Sequence, residues 1–572
     1  MKRFDKLETL SEVALGRLAP DTLVLNGTLF NAFTGEFVER QALWIKEGRI
    51  AYAGPDHDPP RDEKTETIDA QGMVVLPGLI DGHTHLNRTG IEEFTRYIVP
   101  SGTTTVVLET QEVAMISGRR GLEHFVRALA KQPIRFLYTV APVCGLTPST
   151  EINALSTEEL LPFLQDPFCV GVGEIYWGNI FLEGEQGKRV RQLVRLALSL
   201  GKSVEGHSAG ASEKKLQAYT CWGLSSCHEP ITEEEVLARL RLGFWVMVRE
   251  GSVRRELEAV QGIFKKNLDL RRLVLATDGI DPERFMEAGS LDAAVRTAIE
   301  LGASPFEVYQ MVTLNVAEHF RLDPWIGSLA PGRMADLVVI PRPEEFSPQL
   351  VMREGKTIFR DGKALVEPQE VFLPDDLLDT VHLQDVNLNF PPPTGKVRVI
   401  ELVSRLVTKE RIVDPRDPEQ RRDVLMVLAA ERLGRNKVFM GLLKGLGLKR
   451  GAYASTMTWD TVDMLVVGVD PESMKTAMNR VKEIRGGGVY AIGREVIAEF
   501  SAPFCGGLPL EPMETLSKKM KRLNGALNEN GIPWEKPILT IDTLTSPAIP
   551  HLRITHEGYV RLRDREILPL EA

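Results

Sequence analysis

Apolar and polar residues alternate in three different ways along this chain, and each pattern predicts a different architecture. Residues 4–18 carry apolar positions at helical spacing and predict a short amphipathic helix. From Thr22 the pattern tightens into short β-type runs, Thr22–Phe30, Ala42–Ile45 and Ile50–Gly54, with turn signals at Asn26-Gly27, Thr34-Gly35 and Glu47-Gly48. The same grammar returns far downstream, from Gly327 through Asp336-Leu-Val-Val-Ile340 to about Val366. A single small β-sandwich assembled from residues 1–76 plus 321–390 is the economical expectation, since neither segment alone is long enough to bury a core.

Between them, residues 77–320 alternate continuous apolar runs with amphipathic segments. The runs Thr103–Leu108, Ile134–Val140, Val170–Glu174, Ser203–His207, Trp245–Arg249 and Leu273–Asp278 read as strands buried on both faces. Gly187–Leu200, Ile231–Leu242 and Leu291–Leu301 read as helices separating strands. Strand–helix alternation over this length predicts an α/β fold, a (β/α)₈ barrel whose site lies at the C-terminal strand ends. Pro391-Pro-Pro-Thr-Gly marks a linker to an additional C-terminal α/β (α+β) domain, residues 391–572. There, Lys396–Leu402, Met464–Val469 and Gly488–Ile492 predict strands, and Pro471–Ile484 and Met513–Glu529 predict helices. Val424–Ala430 and Val438–Leu443 fit strand and helix equally.

Chemistry concentrates at the ends of the barrel runs. Leu79-Ile80-Asp81 leads into His83 and His85, whose spacing of two puts both imidazoles on one side of a strand. Taking the later strand ends in order adds Glu174, His207, His228 and Asp278. Four imidazoles, a carboxylate able to bridge and a terminal carboxylate are the donor set of a two-metal site, and Asp278 can also take a proton from a bound water. Asp278 precedes Gly279, so a turn-forming role is its rival reading. His124, His319, His382, His551 and His556 lack such context and read as surface or structural, and His57 falls in a Pro-Asp-rich loop.

Composition narrows the partners. The net charge of −10 leaves no basic footprint for nucleic acid or an acidic membrane surface. No apolar run approaches the ~20 residues of a membrane span. The five cysteines are few, odd in number and scattered, with no C-x-x-C pair. With a charged first segment that lacks a signal-peptide core, they point to reduced thiols in a cytoplasmic protein.

Pro77-Gly-Leu-Ile-Asp-Gly-His-Thr-His85, together with Gly327-x-Leu-x-x-Gly-x-x-Ala-Asp336-Leu-Val-Val, resembles the amidohydrolase superfamily. Within it, Gly173-Glu174, Glu205-Gly-His207-Ser, Cys227-His228-Glu229, the run Leu237–Gly251 and Lys444–Ser455 resemble the microbial adenine deaminases over nearly the whole chain. The resemblance implies two divalent metal ions (manganese, iron or zinc), a small purine-like substrate, a homo-oligomer, and hydrolysis of adenine to hypoxanthine and ammonia. Asp278 would then carry the water's proton to the departing ammonia, and Glu229 would donate to a ring nitrogen. The His/Cys/Cys zinc deaminase signature is absent.

Three stretches depart from the family pattern. Leu86-Asn87-Arg88-Thr89 follows the HxH where the family has an Ile-Glu-Ser-Ser-like run. Glu109-Thr110-Gln111-Glu112 replaces an Asp-Pro-His-Glu stretch, and Trp459-Asp460-Thr461-Val462-Asp463 replaces a His-Asp-Ser-His-Asn stretch. Asn87, Arg88 and Gln111, at changed positions, are expected to contact the substrate. The alternatives are therefore hydrolysis of another aminopurine, a cyclic amide or an N-acyl compound, and a non-catalytic relative that uses its pocket for binding.

Overall fold

The computed structural model describes residues 6–55, 60–86, 88–389 and 395–572. Asn87, His57 and linker residues 391–394 lie outside that set. After the helix Leu7–Ala14, the chain enters a nine-stranded sheet. Leu337–Ile340 pairs antiparallel with Val74–Pro77, so the two separated β-segments share one sheet. One face of that sheet packs Val24, Leu43, Ile45, Val75, Leu337 and Met352. Thr34-Gly35 and Glu47-Gly48 form the expected turns, between Thr22–Asn31 and Glu36–Lys46 and between Glu36–Lys46 and Arg49–Pro55. Asn26-Gly27 does not turn the chain. It sits inside the continuous strand Thr22–Asn31, where the pairing register shifts on either side of Gly27 and Asn26 adopts φ 57°. The same left-handed residue that would suit a turn here accommodates a bulge.

Eight parallel strands follow: β1 (Leu79–Thr84), β2 (Thr103–Leu108), β3 (Arg135–Val140), β4 (Cys169–Tyr176), β5 (Ser203–His207), β6 (Ser226–Cys227), β7 (Trp245–Arg249) and β8 (Leu273–Ala276). β1 to β5 form one hydrogen-bonded run, and β6 to β8 another. The ring closes between them. Gly206 N donates to Ser226 Oγ at 3.1 Å, and at the other seam Asp278 N donates to His83 O at 3.0 Å. Asp81 reinforces that seam by accepting from Thr277 Oγ1 at 2.6 Å. Every residue of β2, β3 and β4 is buried, because helices cover the outside and side chains fill the inside. β6 is only two residues long, and so gives no apolar run to read.

The C-terminal region is built on an eight-stranded sheet. Val424–Glu431 and Val438–Lys444, ambiguous in sequence, are strands paired antiparallel. The ambiguity has a physical cause. The sheet is covered on both faces, so Val427 and Ala429 pack toward helix Met513–Glu529 while Leu428 and Ala430 pack toward helix Pro471–Glu483. Burial on both sides erases the period of two. This region seats on the barrel mouth through Arg565 Nη2 to Asn179 Oδ1 at 2.6 Å, Lys536 Nζ to Asp281 Oδ2 at 2.7 Å and Met513 N to Glu93 Oε2 at 2.8 Å. Among the described residues, no helix is long and apolar enough to cross a membrane.

Candidate active site

His83, at the end of β1, and His85, just beyond it, turn their rings to one centre, 5.2 Å apart between centroids. Glu174 comes from β4, His207 from the end of β5, His228 follows β6 and Asp278 follows β8. All six are brought together. They fall into three overlapping groups whose ligand atoms lie within 4.8 Å of one another: His83, His228 and Asp278; His83, His85 and Glu174; Glu174, His207 and His228. Asp278 has φ 56° and Gly279 φ 104°, so the turn and the inward carboxylate are the same feature.

Each HxH histidine has its outer nitrogen occupied. Glu109 Oε1 stands 3.4 Å from His83 Nδ1, and Glu109 Oε2 in turn accepts from Thr139 Oγ1 at 2.6 Å. Glu112 Oε1 lies 2.6 Å from His85 Nδ1. A carboxylate on the outer nitrogen fixes the ring and leaves Nε2 for a central ligand. His83 Nε2 and Glu174 Oε2 are buried and make no hydrogen bond of acceptable geometry, although Asp278 Oδ1 is 3.3 Å from the first and His228 Nε2 3.1 Å from the second. Orphaned buried donors and acceptors that converge on one point are the condition a divalent cation relieves, so this residue set fits a metal.

The four imidazoles differ in charge: against burial, neighbouring carboxylates hold His83, His85 and His207 above the ordinary imidazole range, and His228 falls below it. Burial and the neighbouring His83 both hold the His228 imidazolium below its ordinary range, with the two rings stacked at 4.0 Å. A neutral imidazole is the ligand form. Burial alone would raise the Glu174 carboxyl, but His228 and His207 outweigh it and hold the group down at about 2. Burial would likewise depress His85, yet Glu112 pushes its pKa up to about 10.

Arg249, at the end of β7, carried no assigned role in the sequence and proves central. It is 3 % exposed and pairs with Glu229, with Asp278 Oδ2 at 3.1 Å and with Glu256 Oε1 at 2.9 Å. Burial disfavours the charged form of Glu229, but Arg249 and then His207 overcome it and hold the carboxyl well below its usual range. Glu229 Oε1 also lies 3.2 Å from His207 Nε2.

The cluster opens into a cavity shared with the C-terminal region. Met115, Ile116, Met457, Trp459, Leu508 and Ile549 supply apolar walls. Gln111, one of the expected substrate contacts, lines this cavity and bonds through Nε2 to Asp460. Asp460 also accepts from Tyr176 Oη at 3.0 Å and Ser546 Oγ at 2.5 Å. Arg88, another expected contact, is turned elsewhere. It is absent from the cavity lining and pairs with Asp281 Oδ1 and Asp542 Oδ2, each at 3.3 Å, tying the barrel to the C-terminal region. Asn87 lies outside the described residues.

Residues 74–358 match the amidohydrolase family, and residues 401–566 match the adenine deaminase C-terminal domain. The chain is 32 % identical over 573 residues to an adenine deaminase of Moorella thermoacetica, covering 96 % of each. It is also 32 % identical over 585 residues to adenine deaminase 2 of Carboxydothermus hydrogenoformans, covering 99 % of each. Among solved structures it is similar to a β-aspartyl dipeptidase from Fervidobacterium islandicum AW-1, at 19 % identity and TM-score 0.47, covering 62 % of this chain and all of that one. The chain belongs to the adenine deaminase family of the amidohydrolases.

Proposed function

We propose that this protein hydrolyses adenine to hypoxanthine and ammonia at the barrel cluster, using two divalent metal ions. The observation that carries the reading is the convergence of six ligand-type side chains, two of them with orphaned inward atoms, beneath a cavity that the C-terminal region roofs. His83, His85, Glu174 and Asp278 would hold one ion, and Glu174, His207 and His228 the other. When bound, the ions supply a water ionised near neutral pH.

The chain's own residues then manage two protons. Hydrolysis adds the water oxygen to the ring carbon that bears the amine and breaks the bond from that carbon to nitrogen. One water proton ends on the adjacent ring nitrogen and the other on the departing amine. Glu229, which Arg249 keeps ionised, would collect the first and pass it to the ring. Asp278 passes the second to the amine. Arg249 contacts both carboxylates and holds them in register with the cluster. The apolar walls exclude water from the planar ring. The reaction is assigned to the cytoplasm, in keeping with five unpaired cysteines, and to a homo-oligomer that size-exclusion chromatography would read.

The Gln111–Asp460 bond favours a second reading, another aminopurine, because it fixes an amide on the cavity wall where the family pattern has a histidine. The test is a panel assayed with metal-loaded protein, the aminopurines for ammonia release and the cyclic amides and N-acyl amino acids for loss of substrate by chromatography. Adenine turning over fastest, with stoichiometric hypoxanthine, supports the proposal. No ammonia from adenine, with turnover of another compound, overturns it in favour of the second reading.

A further inference from the structure

Three large basic side chains are buried around the cavity and its roof, and their partners differ. Arg249 has three carboxylates around it. Arg553 has none among the described residues, but its three nitrogens donate to the carbonyls of Thr543, Leu406, Ile549 and Pro550. Arg432 has neither arrangement. It is 2 % exposed and lines the cavity, at the end of strand Val424–Glu431. Its guanidinium makes one hydrogen bond, from Nη1 to Gly506 O at 3.1 Å. Nε is buried without a partner, and among the described residues no carboxylate pairs with Arg432.

A guanidinium offers five N–H donors, and leaving them unmet in a desolvated place is unfavourable. Burial dominates here and pushes the Arg432 pKa down to about 10. The backbone is shaped to admit the group. Gly506 has φ +59°, and a Cβ there would fall 1.9 Å from Arg432 Nη1. The guanidinium thus occupies space that any other residue at 506 would fill.

We propose that Arg432 is a specificity-determining residue whose free N–H groups receive the ring-nitrogen acceptors of the substrate, on the edge away from the carbon that loses its amine. This rests on the adenine reading and deepens it. With the amine-bearing carbon at the barrel cluster, the opposite edge of a purine faces the C-terminal region. That edge presents lone pairs of sp² nitrogen, N3 foremost, and a planar donor fork suits them. The class of substrate selected is a planar nitrogen heterocycle with acceptors opposite the amidine carbon. A cyclic amide or N-acyl chain lacking that edge would leave the donors unmet, which the site penalises.

The experiment is steady-state kinetics on metal-loaded Arg432→Met, Arg432→Lys and Gly506→Ala, each with adenine and 3-deazaadenine, alongside metal content. The expected result is a KM for adenine raised roughly 10- to 100-fold in Arg432→Met, with kcat changed much less and metal content that of the parent. Arg432→Lys should recover part of the loss. Gly506→Ala, which displaces the guanidinium without removing it, should reproduce it and stands in if Arg432→Met fails to fold. In the parent, 3-deazaadenine should bind more weakly than adenine, and in Arg432→Met the two should bind alike. An unchanged KM in the variants, or a 3-deaza penalty that persists without the guanidinium, overturns the inference alone. Absence of ammonia release from adenine by the parent overturns the adenine reading, and this inference falls with it.

Discussion

His83 in the barrel and His556 in the C-terminal region are almost equally buried, at 3 % and 4 % exposed, and both sit beside a buried carboxylate. Their surroundings nevertheless mean different things. His556 is saturated: Nδ1 meets Asp463 Oδ1 at 2.6 Å and Nε2 meets Ser149 Oγ at 2.9 Å. The three residues join the two regions and leave no valence open. His83 has Glu109 on one side and, on the other, an Nε2 that makes no well-formed hydrogen bond although Asp278 Oδ1 stands 3.3 Å away. His319 shows that an open nitrogen alone is insufficient. Its Nδ1 is also unpartnered, yet it belongs to none of the groups of convergent ligands. Convergence on other ligand-type groups, rather than burial, an open nitrogen or a nearby carboxylate alone, separates a ligand from a strut.

The comparison breaks most visibly at Glu174, which joins two of the three groups. Glu174→Gln should lose metal and cut kcat by more than about 10³-fold while circular dichroism stays that of the parent. Full metal content with parental activity would make Glu174 an ordinary buried carboxylate. Asp278→Asn sharpens the account further, because Asn keeps the shape and one ligating oxygen but cannot carry the proton. Most of the metal should remain while kcat falls by about 10²–10⁴-fold, measured by ammonia release. A rate within about threefold of the parent would leave Asp278 only its turn.

The strut side predicts the reverse profile. His556→Ala leaves Asp463 buried without its imidazole and should destabilise the fold by about 3 kcal/mol, read as a lowered Tm. Metal content and kcat per folded molecule should stay within about twofold. A large kcat loss at unchanged stability would erase the distinction between the two histidines.

The smallest effect is expected at Asp460, whose carboxyl burial pushes up to about 6, with Glu174 adding to the push and Ser546 and Tyr176 opposing it. A carboxyl with a folded pKa above its unfolded value near ~3.9 binds more protons when folded, so stability falls as pH rises between the two values. Asp460→Asn removes that dependence. In metal-free protein, the Tm difference should move in favour of the variant from pH 4 to pH 7 and flatten above. A difference that is constant with pH would mean the carboxyl titrates normally.

The sequence exposed the parts of this site that local pattern encodes. The ends of β4, β5 and β8 are legible in the sequence, with Glu174, His207 and Asp278 at, near or just beyond them, and His83, His85 and His228 belong to the HxH and Cys227-His228 motifs. What stayed hidden depends on distant chain segments meeting. Arg249 was visible as a strand end, but its three carboxylates come from separate positions along the chain. Glu109 and Glu112 lay in a stretch that departs from the family pattern, and only the fold shows that they hold the outer nitrogens of His83 and His85. Arg88 was adjacent to the ligands in sequence and was expected beside the substrate, whereas Asp281 and Asp542 draw it into the contact between regions. Arg432 and Asp460 reach the cavity from a region that no local spacing connects to the HxH.

The central claim is that the open cluster becomes a hydrolytic centre when it binds divalent metal. It is tested most directly by stripping the protein with chelator, titrating Mn²⁺ back, and following ammonia release from adenine against bound metal. The account predicts no release from the stripped protein and activity that returns with metal and saturates at two ions per chain. Adenine turnover at full rate without metal, or full metal occupancy with no turnover, would contradict it.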